Sequence, residues 1–286
     1  MYKLIFLLFF SVSLCSCQDF GDLNIVASLP AALEEISGIE KTPKSDLIWA
    51  VSDSNNSATL YGFNPRTQNI EEAINLHGIE NKDWEDMALD TEGNLYIGDF
   101  GNNNNKRKHL AIYKVPSVSE ETEQRTVYTT TFEYEDQTQF PPKKKHRNFD
   151  VESFIHLNNH FYLFTRNRSS HFDGTVKVYK IPATTGHHTA KVVTDYKICD
   201  DKSNCQITGA TIDFKTGTVV LLSHSKIWLL TAYNTDDFFS GNIEEIELGH
   251  SSQKESICFK DANTLYIADE QNGILGGNVY EFQLNK

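Results

Sequence analysis

Short apolar runs closed by polar turns recur along the chain, with β-branched and aromatic side chains prominent among them: LIWAVS from Leu47, LYIGD from Leu95, FYLFT from Phe161, TVVLL from Thr218 and TLYIAD from Thr264. Runs of this length and make-up predict β-strands rather than helices. They belong to a larger repeat. A short strand opens with Ser, Thr or Glu, an apolar strand ending in a polar loop follows, and a strand carrying Tyr or Trp comes third. The copies begin at Ser37, Glu85, Glu152, Thr208 and Glu255, separated by 48, 67, 56 and 47 residues. That interval matches the four-stranded blade of a propeller. A fourth strand follows in four copies: IEEAINL from Ile70, VYTTTFEYE from Val127, AKVVTDYKI from Ala190 and NIEEIELG from Asn242. The fifth copy runs out of chain after NVYEFQLNK, and LNIVASLP from Leu23 is the strand left to complete it. The expectation is an all-β, five-bladed β-propeller over residues 23–286, closed by its N-terminal strand. A six-bladed ring would need a blade that the sequence does not show.

The first residues follow a different pattern. MYKLIFLLFFSVSLCSC has a positive start, an apolar stretch and small residues before Cys17, the layout of a signal peptide over residues 1–16. Its end resembles a bacterial lipobox, in which the cysteine after the cut carries the lipid. Cys17 fits that role better than Cys15, which follows the bulky Leu14. The expected product is a secreted protein, lipid-anchored in the bacterial cell envelope through Cys17 acyl chains, with residues 17–22 as tether. Three cysteines remain: Cys199 and Cys205 bracket a polar loop that a disulfide would close in an oxidising compartment, and Cys258 reads as a buried free thiol.

Charge narrows the partners. The chain of 286 residues carries a formal charge of −13, and loss of Lys3 with the leader takes it to −14. A nucleic-acid polymer is therefore not an expected partner. The expected state is monomeric. Trp49, Trp84 and Trp228 read as packing residues, and His187-His188 as a pair in a loop. No GxSxG, Walker or HExxH pattern is present.

In a propeller the first strand of each blade lines the central channel, so Ser37, Glu85, Glu152, Thr208 and Glu255 are expected in one ring. Converging carboxylates repel and take up protons unless a cation holds them charged. An all-oxygen donor set without His or Cys suits Ca2+ better than Mg2+, which demands tighter octahedral geometry.

The stretches DWEDMALDTEGNLYIGDFGNN and ESICFKDANTLYIAD look like those of secreted bacterial β-propeller lipoproteins of undefined activity. More distantly, the ring and its spacing resemble the calcium-activated nucleotidase (apyrase) family. That resemblance implies calcium held by the five ring residues, with Thr208 in place of Ser, and a nucleotide-contacting loop around Asp53. It implies hydrolysis of nucleoside di- and triphosphates.

One face collects the remaining chemistry. It carries Asp53, Asp99, Arg166, Arg168 and His224 after the second strands, and Lys143, Lys144, Lys145 and Arg147 in the longest interblade loop. The arginines read as forks for a small anionic or phosphorylated ligand, and His224 as a candidate base. Placement in loops predicts that replacing Asp53, Asp99, Arg166 or Arg168 leaves stability nearly unchanged. The favoured function is a calcium-binding propeller that binds a small anionic ligand, a glycan or a protein. The alternative is a calcium-dependent phosphoanhydride or phosphoester hydrolase, with Asp53 or Asp99 orienting water; a sugar-lactone hydrolase rests on fold analogy alone.

Overall fold

The computed structural model describes residues 19–43, 45–116, 118 and 126–284. The leader and Cys17 lie outside the described residues. Antiparallel hairpins dominate, and among the described residues there is no α-helix, only two short 3-10 turns.

Strands come in antiparallel groups of four. The first is β2 (Ile36–Glu40), β3 (Ile48–Ser52), β4 (Thr59–Asn64) and β5 (Asn69–Asn75). The second is β6 (Trp84–Leu89), β7 (Leu95–Asp99), β8 (Leu110–Val115) and β9 (Tyr128–Tyr134). The third is β10 (Val151–Leu157), β11 (His160–Thr165), β12 (Thr175–Pro182) and β13 (Gly186–Lys197). Next comes β14 (Gly209–Asp213), β15 (Thr218–Leu222), β16 (Lys226–Thr231) and β17 (Asn242–Glu247). The last is β18 (Lys254–Asp261), β19 (Thr264–Asp269) and β20 (Asn278–Gln283), to which β1 (Asn24–Ser28) adds as the fourth strand, antiparallel to β20.

The first strands β2, β6, β10, β14 and β18 pack side by side in that order, and β18 returns to β2. Apolar side chains fill the spaces between neighbouring groups. Trp49 packs with Trp84 and Met87 between the first and second, and Trp228 lies with Phe164 and Phe238 between the third and fourth. This propeller-like arrangement follows from the sequence pattern: each central strand is apolar on both faces because each group is covered on both sides.

One departure from the expected repeat is a join between groups. β13 begins at Gly186, four residues before the strand read from the sequence, because its first residues pair in parallel with β9. The second and third groups thus merge at their outer strands into one eight-stranded sheet. His187 and His188 lie in this strand and not in a loop. Cys199 and Cys205 are bonded to each other, and Cys258 is a buried free thiol.

Candidate functional site

Four of the five first strands carry a β-bulge at the same place. The ladder slips between Ile36 and Gly38, Trp84 and Asp86, Val151 and Ser153, and Lys254 and Ser256. The extra residue in each is Ser37, Glu85, Glu152 or Glu255. A bulge re-aims the inserted side chain and is common beside functional sites, which explains why the ring positions stand out. Asp86, after the Glu85 bulge, is fully buried and accepts from the Met87 and Phe154 N–H groups at 2.8 and 3.0 Å, tying β6 to β10.

The ring residues do not form one ligand set. Arg166 Nη1 lies 3.1 Å from Glu152 Oε2 and 3.6 Å from Glu255 Oε2, between the two carboxylates. Arg168 bridges Glu152 Oε1 and Asp150 Oδ2, each at 2.5 Å. The Thr208 hydroxyl donates to the Lys254 carbonyl at 2.6 Å, and the buried Ser37 Oγ has no hydrogen-bond partner among the described residues. Glu152, Glu255 and Thr208 therefore have protein partners already, and the convergence of three carboxylates among the described residues is a smaller cluster that shares only Glu85 with the ring.

That cluster is Asp53, Asp83 and Glu85, whose carboxylate oxygens lie within 4.8 Å of one another. Asp53 follows β3, and its loop is held by Asn81, whose Nδ2 donates to the Ser52 and Asp53 carbonyls at 2.8 and 2.9 Å. Gly101 closes the other side. Its N–H donates to the Asp83 carbonyl at 3.1 Å, and a Cβ at this position would collide with Glu85 Oε1 and the Asp83 carboxyl. Gly101→Ala should therefore disturb the cluster directly. Expected is a loss of cation affinity of about tenfold or more, read by calorimetric titration with Ca2+, with the β-sheet circular dichroism unchanged.

Electrostatics at the cluster are unfavourable as they stand. Burial raises all three carboxyls, Asp83 to about 6 and Glu85 well above the usual range, and the negative charges of Glu152, Asp53 and Asp150 add to the effect on Glu85. Glu270 is pushed to about 8 by burial and then by Glu255 and Asp53. Glu152 is the exception: burial would raise it, but Arg166 and Arg168 bring it down to about 2. Its neighbour Asp150 is raised by burial and by Glu152.

The other candidates fall into place around this centre. Arg166 and Arg168 are not open forks: Arg166 Nη1 and the Nε and Nη2 of Arg168 face carboxylates, while the buried Arg166 Nε has no partner among the described residues. Asp99 is the buried last residue of β7, where Arg107 Nη2 donates to it at 2.6 Å and the Tyr113 hydroxyl at 3.1 Å. His224 Nε2 lies 3.1 Å from Glu255 Oε1. Lys143, Lys144 and Lys145 are exposed, the last two in a 3-10 turn. Missed from the sequence were Asp83, Asp150 and Arg107. Asp83 stands two residues before the aligned Glu85, in DWED, where the second carboxylate was the available signal.

No protein-family model matches the sequence, and no curated protein matches it. Among solved structures, the PQQ-bound aldose sugar dehydrogenase of Streptomyces coelicolor is similar at 11% identity and a TM-score of 0.51, over 92% of this chain and 98% of that one. A gluconolactonase of Xanthomonas campestris aligns at 10% identity and TM-score 0.45, covering 87% and 71% of the two chains. A nidogen/laminin complex aligns at 12% and 0.47, covering 82% and 72%. The first of these supports a β-propeller-like fold.

Proposed function

We propose that the chain is an exported five-bladed propeller that binds a divalent cation, Ca2+ by its donor chemistry, through Asp53, Asp83 and Glu85, and uses that ion to hold a small anionic ligand. The observation that carries this reading is the convergence of three carboxylates, the buried Glu85 and the half-buried Asp53 and Asp83, beside the Gly101 backbone. The nearby arginines do not neutralise them, apart from Arg107 Nη1 at 4.0 Å from Asp83. A cation brings these carboxyls into their charged form and offsets their mutual repulsion. The five groups of strands, with β18 returning to β2, support five blades. The lipobox-like sequence ending at Cys17 supports an acyl anchor and placement at the envelope, and its test is fatty-acid labelling of wild type against Cys17→Ser.

Because Arg166 and Arg168 are engaged by carboxylates, the anion would be recruited by the ion. The test is titration with Ca2+ and then with inorganic pyrophosphate. Wild type should bind Ca2+, and bind pyrophosphate only when Ca2+ is present. Asp83→Asn with Glu85→Gln should bind neither. Pyrophosphate binding unchanged by chelation would overturn the role given to the ion.

The hydrolase reading draws on Glu270, which burial and the charges of Glu255 and Asp53 push to about 8, suited to proton transfer near neutral pH. A bound Ca2+ would supply Lewis-acid polarisation of a phosphoryl oxygen. Glu270 is then the residue to hold or release a proton. Phosphate release from a nucleotide panel, with and without Ca2+ and in Glu270→Gln, separates hydrolysis from binding.

A further inference from the structure

A second cluster of metal-ligating side chains lies at the outer rim, where the second and third groups of strands merge. His109, Glu133 and His187 present ligand atoms within 4.8 Å of one another. Their convergence follows from the register. Leu110 pairs with Phe132 in the antiparallel β8–β9 ladder, so His109 stands opposite Glu133, one step beyond. On the other side of β9, His187 pairs with Thr131 in the parallel ladder. Residues two apart on a strand share a face. Thr131 and Glu133 therefore point outward together, while the buried Phe132 and Tyr134 point into the core.

The imidazoles of His109 and His187 have centroids 5.9 Å apart. The His187 Nδ1 lies 3.1 Å from the Thr131 hydroxyl, which itself donates to the Gly186 carbonyl at 3.4 Å; in the tautomer whose Nδ1–H donates to that hydroxyl, Nε2 keeps its lone pair for another partner. A ligating histidine held through its second nitrogen is the common arrangement at metal sites. Two imidazoles and one carboxylate are a donor set for Zn2+ with a fourth position left to solvent or to an outside ligand. Small side-chain rotations would bring the donors to the roughly 3.4 Å spacing that tetrahedral bonds of about 2.1 Å require.

We propose that His109, Glu133 and His187 form a transition-metal site, with Zn2+ as the ion of matching chemistry, that clamps β8 and β9 to β13 across the join. It is separate from the all-carboxylate cluster in ligands and in metal preference. The only charge contact of Glu133 among the described residues is with Lys108, whose Nζ is 3.5 Å from Oε2 and competes with an incoming cation.

The experiment is calorimetric titration of the metal-stripped protein with Zn2+, in the presence of excess Ca2+, together with visible absorption using Co2+. One equivalent of Zn2+ should bind, and a Co2+ spectrum with a low-symmetry ligand field should appear. Glu85→Gln and His224→Ala should bind as wild type. His109→Ala and His187→Ala should each lose affinity by more than about tenfold, and Thr131→Val by about tenfold, whereas Lys108→Met should tighten binding. All three ligands are at least partly exposed, so the variants should fold, and Zn2+ should raise the Tm of wild type but not of His187→Ala. Zn2+ binding that survives in both histidine variants, or the absence of saturable Zn2+ binding to wild type, would overturn the site.

Discussion

Arg166→Ala is expected to destabilise the protein by about 3 kcal/mol, because it leaves the buried Glu152 carboxylate to Arg168, which Asp150 shares, and removes the link to Glu255. For a chain of this size that corresponds to a fall in Tm of roughly 6–12 °C. Thermal or urea unfolding monitored by circular dichroism measures it. Glu152→Gln in the same background should recover part of the loss, since it removes one of the two buried carboxylates that Arg168 would have to neutralise alone. A Tm within a degree of wild type for Arg166→Ala would show that Arg168 alone neutralises Glu152, and the role given to Arg166 would fail. This outcome is opposite to the near-neutral effect expected from loop placement. The difference is burial: the Arg166 side chain is only 12% exposed and that of Glu152 4%.

The second large effect is a dependence of stability on pH that Ca2+ reverses. Asp83, at about 6, and Glu270 and Glu40, each at about 8, bind protons more tightly in the folded chain than in the unfolded one. Their contribution to stability is complete below about pH 4 and is lost as pH rises through 6 and then 8. Glu152 works in the opposite sense. Held ionised by its arginines, it contributes fully above about pH 4.5 and loses that only as pH falls toward 2, outside this window. Metal-free protein should therefore lose stability between pH 5 and pH 8, on the order of 3 kcal/mol for each carboxyl held near 8. Calcium should restore much of this at pH 8 and little at pH 5, because protons and the ion compete for Asp53, Asp83 and Glu85. Glu40 lines a cavity of about 260 Å³ with Phe154 and Ala210, and none of Asp53, Asp83 and Glu85 lines it. Glu40→Gln should flatten the pH profile without altering the response to Ca2+. A melting curve that is flat from pH 5 to 8 and indifferent to Ca2+ would remove both the buried carboxyl argument and the proposed cation.

The strands were legible because each covered group needs apolar central strands and polar turns, and these repeat in the chain at nearly even intervals. The ring positions were legible for a related reason: Glu85, Glu152 and Glu255 are charges inside apolar patterns, and such residues mark a place where the chain departs from simple packing. What pairs with them was not. Arg166 and Arg168 meet Glu152 and Asp150 across the β10–β11 hairpin, after a bulge has changed which way side chains point. Alignment of repeats shows equivalent positions but not which of them a neighbouring cation has neutralised. Asp83 lies before the strand and outside the repeat, so alignment passed over it. His187 was misplaced because the parallel contact between β9 and β13 joins different groups, and no local pattern announces it.

That join also bears on how the molecule avoids sticking to itself. The outer strand of a sheet leaves unpaired backbone groups that can recruit another chain. β9 and β13 cover one another along Thr130 to Tyr134 and so withdraw two such borders from solvent. β5 and β17 remain at the ends of their sheets, but their sequences NIEEAIN and NIEEIE place glutamates along them, and the repulsion between copies guards those borders. β1, with the sequence NIVAS and Ile25 44% exposed, has neither cover nor charge. Among the described strands it is the border most open to strand addition, and Ile25→Lys is the substitution that should suppress self-association at high concentration first.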